Sequence, residues 1–355
     1  CIKFILAALI ATGAAFSFAQ SQEMQVRCIA FYNLENLFDT IHDEGKNDYE
    51  YLPDGGMKWT SFKYEQKLEK MAYAISQLGT DEDPRGAACV GVSEVENIGC
   101  LYDLCRVLKE KHNRHYEPIL IEGPDRRGVD VGFLYNPAMF KPVSTKGYEL
   151  KAHYADGGVV KSRLQLWISG YMLDDDHKIV RDKIHISVNH WPSRYGGEES
   201  SRATRDTAAM LCKQVCDSIY LKEPRAKIVV MGDLNDDPFN HSCAVVMGAK
   251  KTREEVAEQG FFNTMWQKLD RGIGSLSYQG SWNLFDQIFI SEPLMNATLE
   301  EGKWVYWKSQ IFNKPFLTVQ EGKDKGTPLR TVKSGVWQNG YADHYPTMIY
   351  LVKSK

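Results

Sequence analysis

The chain has 355 residues, 43% of them apolar and 25% charged, with a net charge of −3. These proportions are those of a globular protein and exclude wholesale disorder, a coiled coil or a collagen-like rod, while the length allows one large domain or two ordinary ones. Near-neutrality leaves no global polycation to hold nucleic acid non-specifically, so any phosphate contact must come from a local patch or a bound cation.

Residues 2–19 read IKFILAALIATGAAFSFA, one lysine followed by an apolar run and a small-residue end. This is the layout of a secretory signal peptide, assigned to residues 1–20 with cleavage after Ala19, and it predicts export to the periplasm or the cell exterior. The alternative is an N-terminal membrane anchor, for which the charge-free run 4–22 is long enough. Residues 21–355 contain no linker, internal repeat or low-complexity stretch and read as a single domain.

Within it, apolar runs predict strands at 26–32, 88–92, 129–135, 164–172, 183–188, 227–231, 287–290 and 347–352. Helical spacing appears at 62–78 (Leu68, Met71, Ala72, Ile75, Leu78), at 101–108 and most clearly at 201–221 (Ala208, Leu211, Val215, Ile219). Strands and helices alternate, which predicts a layered α/β domain. Residues 292–340 read as a loop-rich insertion near one edge. Signal cleavage would leave seven cysteines, Cys28, Cys89, Cys100, Cys105, Cys212, Cys216 and Cys243. Export would permit disulfides, although an odd number leaves at least one thiol over. No CxxC pair suggests structural zinc, and the plainer reading is of small buried hydrophobes.

Unusual polar residues fall at the ends of these runs: Asn33-Leu34-Glu35-Asn36, Glu94-Val95-Glu96-Asn97, Asn189-His190-Trp191, Asp233-Leu234-Asn235-Asp236-Asp237, Asp286 and Asp343-His344. Taken singly, each has an ordinary explanation as a turn, a cap or an ion pair. Together they place carboxylates, amides and two histidines where α/β sheets assemble sites. That donor set suits a hard divalent cation beside an acid/base centre and favours magnesium, calcium or manganese over zinc.

The set FYNLENLFD (31–39), GVSEVEN (91–97), RRGVDVGFLY (126–135), VNHWPSR (188–194), MGDLNDDP (231–238), SWNLFDQIFIS (281–291) and ADHYPTM (342–348) resembles the endonuclease/exonuclease/phosphatase superfamily. The motifs come in that family's order and span nearly all of residues 21–355. The resemblance implies a four-layer α/β sandwich, two mixed β-sheets packed face to face with helices outside. It implies a metal-dependent phosphoric ester hydrolase in which Glu94 is the principal Mg2+ ligand (Mn2+ or Ca2+ as alternatives), with Asn33 close by and Asp343 assisting. Asp286 would orient His344, Asp233 would contact the attacking water, Asn235 would donate to a phosphate oxygen, and His190 would be a second phosphate-facing histidine. Asn189, Arg127 and Arg194 are the substrate-binding candidates, and Arg202 and Arg205 are further candidate phosphate grips. Glu35, Glu96 and Asp130 are secondary acids, and Trp191 reads as a packed aromatic.

The first substrate reading is an exported nuclease acting on DNA or RNA, with no stable protein partner implied. The second is a phosphatase or phosphodiesterase acting on a small phosphoester or a lipid headgroup. A sphingomyelinase-like version would expose an apolar hairpin to a membrane, and Trp304, Tyr306, Trp307, Ile311, Phe312, Phe316 and Leu317 are the segment that could form one. A third reading is a non-catalytic binding module on the same scaffold.

Overall fold

The structure is a computed structural model and describes residues 23–154 and 156–355, so the signal-peptide expectation at 1–20 lies outside the described residues. The chain runs β1 (Met24–Leu37), α1 (Ser61–Gln77), β2 (Cys89–Val95), α2 (Ile98–His112), β3 (Glu117–Leu120), β4 (Asp130–Tyr135), β5 (Phe140–Tyr148), β6 (Gln165–Leu173), β7 (Ile179–His190), α3 (Glu198–Tyr220) and β8 (Lys227–Asp233). Shorter pieces follow: β9 (Ala249–Lys250), β10 (Phe261–Asn263), α4 (Trp266–Leu269) and the hairpin of β11 (Leu276–Tyr278) and β12 (Ser281–Asn283). Then come β13 (Asp286–Ser291), α5 (Glu292–Met295), β14 (Val305–Ile311), a small hairpin of β15 (Val332–Lys333) and β16 (Val336–Trp337), and β17 (Thr347–Ser354).

Two mixed sheets result. The first has the order β14-β17-β1-β2-β4-β3 and the second β5-β6-β7-β8-β13-β10-β9. Each contains a parallel pair, β1/β2 in the first and β7/β8 in the second, flanked by antiparallel partners. The sheets lie face to face, with β1 and β2 against β8 and with β2 and β4 against β7. Alternation along β8 explains the layering: Val229 and Met231 enter the core between the sheets, while Ile228 and Val230 enter a second core under α3. A strand buried on both faces reads as an unbroken apolar run, which is how 227–231 appears in the sequence. On α3, Ala208, Ala209, Cys212, Val215 and Cys216 cover that outer core. α1 and α2 pack together outside the first sheet. The Asn97 side chain caps α2 by accepting from the Cys100 N–H at 3.1 Å, and Asn113 ends the helix in the left-handed region at φ 52°.

The expected fold class is therefore the one observed, with two local corrections. The 292–340 segment is no mere insertion, because β14 is the edge strand of the first sheet, antiparallel to β17. β5 went unread because its sequence, FKPVSTKGY, forms an exposed edge with no apolar alternation to betray it. The apolar hairpin reading also falls: Trp304, Tyr306, Ile311, Phe312 and Leu317 are buried, and Trp307 and Phe316 pack on the same core. No helix among the described residues is long and apolar enough to cross a membrane. All seven described cysteines are buried and unbridged, as small hydrophobes.

Two glycines permit the close approaches that the site needs. A Cβ at Gly91 would meet Met231 Cε at 2.6 Å across the sheet interface, and one at Gly232 would meet the Asn189 carbonyl oxygen at 2.2 Å. Gly232→Ala must therefore push β7 and β8 apart. We expect a loss of about 1–3 kcal/mol in urea unfolding, the usual cost of overpacking.

Candidate active site

The strand directions bring the polar ends together. The parallel pairs β1/β2 and β7/β8 present their C-terminal ends at one end of the sandwich, and the antiparallel β13 and β17 present their beginnings there. Within the second sheet His190 pairs with Asp233, and Asp233 pairs with Asp286, so three site residues form a cross-strand row. Asn33, Glu94 and His344 arrive from the first sheet and its entry loop. Backbone strain gathers here: Glu35 (φ 48°), Asn36 (φ 60°), Glu94 (φ 59°) and Asn235 (φ 52°) all occupy the left-handed region. Register shifts in β1 and β2 at these residues bend both strands at the site.

His344 Nδ1 lies 2.6 Å from Asp286 Oδ2, which leaves Nε2 3.9 Å from Asp233 Oδ2 and 3.9 Å from Asp343 Oδ1. Burial would lower the pKa of this imidazole, but Asp286, with Asp343 and Asp233, outweighs it and holds the group well above its ordinary value. His190 goes the other way, depressed by burial and by Arg163, Arg127 and His344. Its Nε2 lies 3.5 Å from Asp233 Oδ2 and 4.0 Å from Glu94 Oε1, while its buried Nδ1 has no hydrogen-bond partner. Asp233 accepts from Asn33 Nδ2 and from the Asn235 N–H, each at 3.0 Å. Burial pushes the Asp233 carboxyl up to about 6 against the pull of His344. Two histidines of opposite tendency thus flank a carboxylate that titrates near neutrality, a division that acid/base chemistry uses.

The sequence matches the endonuclease/exonuclease/phosphatase family over residues 28–353. The chain belongs to this family. Solved structures sharing the fold include an endonuclease/exonuclease/phosphatase family protein from Bacteroides thetaiotaomicron, 15% identical, covering 94% of this chain and 97% of its own with a TM-score of 0.51. A mannosyl-6-phosphatase from B. thetaiotaomicron is 12% identical over 92% of this chain and 99% of its own, with a TM-score of 0.52. A humanized D. rerio TDP2 gives 12%, 92%, 98% and 0.52 for the same measures. No curated protein matches the chain.

Members of the endonuclease/exonuclease/phosphatase family are phosphoester hydrolases that depend on a divalent metal, and the residues at the site fit such a group. Glu94 Oε2 accepts from the Asn36 N–H at 3.0 Å, while Oε1 accepts no hydrogen bond among the described residues and lies 4.0 Å from His190 Nε2. Asn33 Oδ1 accepts from the Glu35 N–H at 2.9 Å and retains a second lone pair. Asp233, Asp286 and His344 also offer ligand atoms within 4.8 Å of one another, but the 2.6 Å Asp286–His344 contact reads as a hydrogen-bonded pair.

Other expected site residues lie elsewhere. Asn189 is fully buried, donating to Ser187 and to the Met231 carbonyl and accepting from Trp191, so its amide faces no substrate. Arg194 braces the loop after β8 through the Asn235 carbonyl, Asp236, Asp237 and Asn240, and stacks on Phe285. Arg205 is buried against Asp236 at 2.7 Å, and Arg202 pairs with its helical neighbours Glu199 and Asp206. These three arginines hold protein, leaving Arg127, half-exposed, 3.9 Å from Asp125 and acting on His190, as the remaining candidate. Trp191 is buried, and Glu96 accepts from the Asp39 N–H at 2.8 Å.

Two residues went unread. Arg330 bridges Glu35 at 3.0 Å and Asp343 at 2.9 Å. Lys67, buried on α1, donates to the Tyr341 carbonyl at 2.6 Å beneath the same acids. Neither lies in a motif, and Lys67 reads as one polar position of an amphipathic helix.

Asp130, which pairs with Val95 beside Glu94, offers a test of the electrostatics of burial. Its buried carboxyl accepts from the Gly123 N–H at 2.9 Å, and burial, opposed by Lys46, pushes it up to about 7. The folded state therefore binds a proton that the unfolded state releases near pH ~4, and stability should fall as pH rises between these values. Asp130→Asn keeps the acceptor and removes the titration. Its urea-unfolding free energy should lose that slope and exceed the parent's by about 1–3 kcal/mol above pH ~7.

Proposed function

We propose that the chain is an exported, divalent-metal-dependent nuclease that hydrolyses phosphodiester bonds of DNA or RNA. The observation that carries this reading is the Asp286–His344 pair at 2.6 Å, set beside Asp233, His190 and Glu94 where six strand ends meet. Glu94, Asn33 and Asp343 would hold the cation, and their oxygen donors favour magnesium, with manganese or calcium as alternatives. Bound there, it would supply charge neutralisation at a non-bridging phosphate oxygen.

The protein's own groups divide the remaining work. Asp286 keeps His344 as an imidazolium whose Nε2–H grips the scissile phosphate. Asp233, raised towards neutrality by burial, accepts the proton of the attacking water. Neutral His190 donates through Nε2 to the phosphate or the leaving oxygen. Asn235, with one amide hydrogen engaged by the Trp191 carbonyl at 3.0 Å, directs the other at phosphate. Arg127 supplies a cation at the rim. Export is supported by the apolar run and small-residue end at 2–19.

One observation favours a second reading, hydrolysis of a small phosphoester. An open cavity of about 540 Å³, lined by Arg126, Tyr154, Asp156 and Tyr195 among others, has the size of a metabolite site. A mannosyl-6-phosphatase shares the fold at a TM-score of 0.52.

Residues 21–355, purified and assayed with magnesium and with chelator, separate the two. Chelator-sensitive nicking of plasmid, single-stranded DNA or RNA with little turnover of small esters is the expected result; the reverse pattern selects the phosphatase reading. Glu94→Ala and His344→Ala should each lower turnover by a factor of about 10² or more while circular dichroism stays unchanged. Full activity in either variant would refute the site.

A further inference from the structure

A second cavity, of about 350 Å³, opens on the outer face of the second sheet, where β5, β6 and β7 meet the end of α3. It is separate from the catalytic end. His185, in its wall, lies five residues before His190 on β7, a distance of roughly 16 Å at the rise of an extended strand.

Part of its polar lining is mutually satisfied. His185 Nδ1 meets Ser169 Oγ at 2.7 Å and its Nε2 meets Glu223 Oε2 at 3.3 Å, while Lys183 Nζ pairs with Glu223 Oε1 at 2.5 Å. Glu223 is the only acid in the lining and is fully engaged by these two neighbours. The other polar residues of the lining are two lysines, the indole of Trp167 and the hydroxyls of Ser144, Thr145, Tyr148 and Ser218. Lys146 and Lys222 line the cavity with no carboxylate partner among the described residues, and Lys146 rests over the Tyr148 ring at 4.5 Å. Trp167, only 5% exposed, forms part of the wall, its indole N–H buried and without an acceptor among the described residues. Val215 and Ile219 of α3 add an apolar wall opposite the sheet.

We propose that this cavity is a ligand site for a small, ring-bearing organic anion. Its acidic head meets Lys146 and Lys222, and its ring covers the apolar wall beside Trp167. Two cations without a carboxylate partner among the described residues call for an acceptor-rich, negatively charged head. The apolar wall and the cavity volume call for more than a bare inorganic ion.

The test reads the tryptophan directly. In a 15N-labelled sample, Trp167→Phe identifies the Trp167 indole resonance by its disappearance. Phenylphosphonate, which cannot be hydrolysed as an ester, is titrated in the presence of chelator, alongside inorganic phosphate and neutral benzyl alcohol. We expect a saturable shift of that resonance with phenylphosphonate, a weaker response to phosphate and none to benzyl alcohol. The double variant Lys146→Ala/Lys222→Ala should weaken binding by about tenfold or more, the value of losing charged hydrogen bonds, whereas His344→Ala should leave it unchanged. Absence of a saturable shift, an equal response to benzyl alcohol, equal affinity in the lysine variant or loss in His344→Ala would each overturn the site. Equal affinity for inorganic phosphate would overturn the ring-bearing class.

Discussion

The catalytic end depends on the contact between the two sheets. Asp286 begins a strand of the second sheet and His344 precedes a strand of the first, yet they are 2.6 Å apart. Asn33 of the first sheet likewise reaches Asp233 of the second at 3.0 Å. Neither contact survives if the sheets slide or separate, because each bridges side chains anchored in different hydrogen-bonded ladders. The interdigitated core fixes the spacing, and Gly91, opposite Met231 and Val188, leaves room for it.

Burial then sets the charges. The same desolvation acts on His190 and His344, and what separates them is the neighbour: Asp286 bonds directly to His344, whereas His190 Nδ1 has no partner. A similar balance holds around Glu94 and Asp343, where burial pushes Glu35 up to about 7 and Lys67 down to about 8. Arg330, bridging Glu35 and Asp343, neutralises that acidic group from a loop and leaves Glu94 Oε1 the less encumbered oxygen. The site is thus a carboxylate cluster partly neutralised by the protein, with one open side.

Legibility followed the physics of each element. Strands buried on both faces, such as 227–231, and a helix with one apolar stripe, such as α3, were plain because burial imposes a pattern on sequence. β5 was not, because an exposed edge strand is held by backbone pairing that its side chains do not record. The segment around β14 looked loop-like for a related reason, since its apolar residues are scattered among Lys, Gly and Gln and find a common core only on pairing with β17. The arginines misled in another way. Arg194 and Arg205 carry the right charge for phosphate, but a guanidinium can as readily brace a loop, and residue type alone does not distinguish the two.

The sequence by itself determined the layered α/β class, the polar residues at the strand ends and the donor chemistry of a hard-cation phosphoesterase, because these depend on residue type and local order. Only the tertiary structure decided which of those residues share a site. It turned Asn189, Arg194 and Arg205 inward, brought Arg330 and Lys67 to the acids, and left Lys146 and Lys222 lining a cavity without a carboxylate partner among the described residues. Such outcomes rest on contacts between residues far apart in the chain, and neither composition nor spacing carries the distance between them.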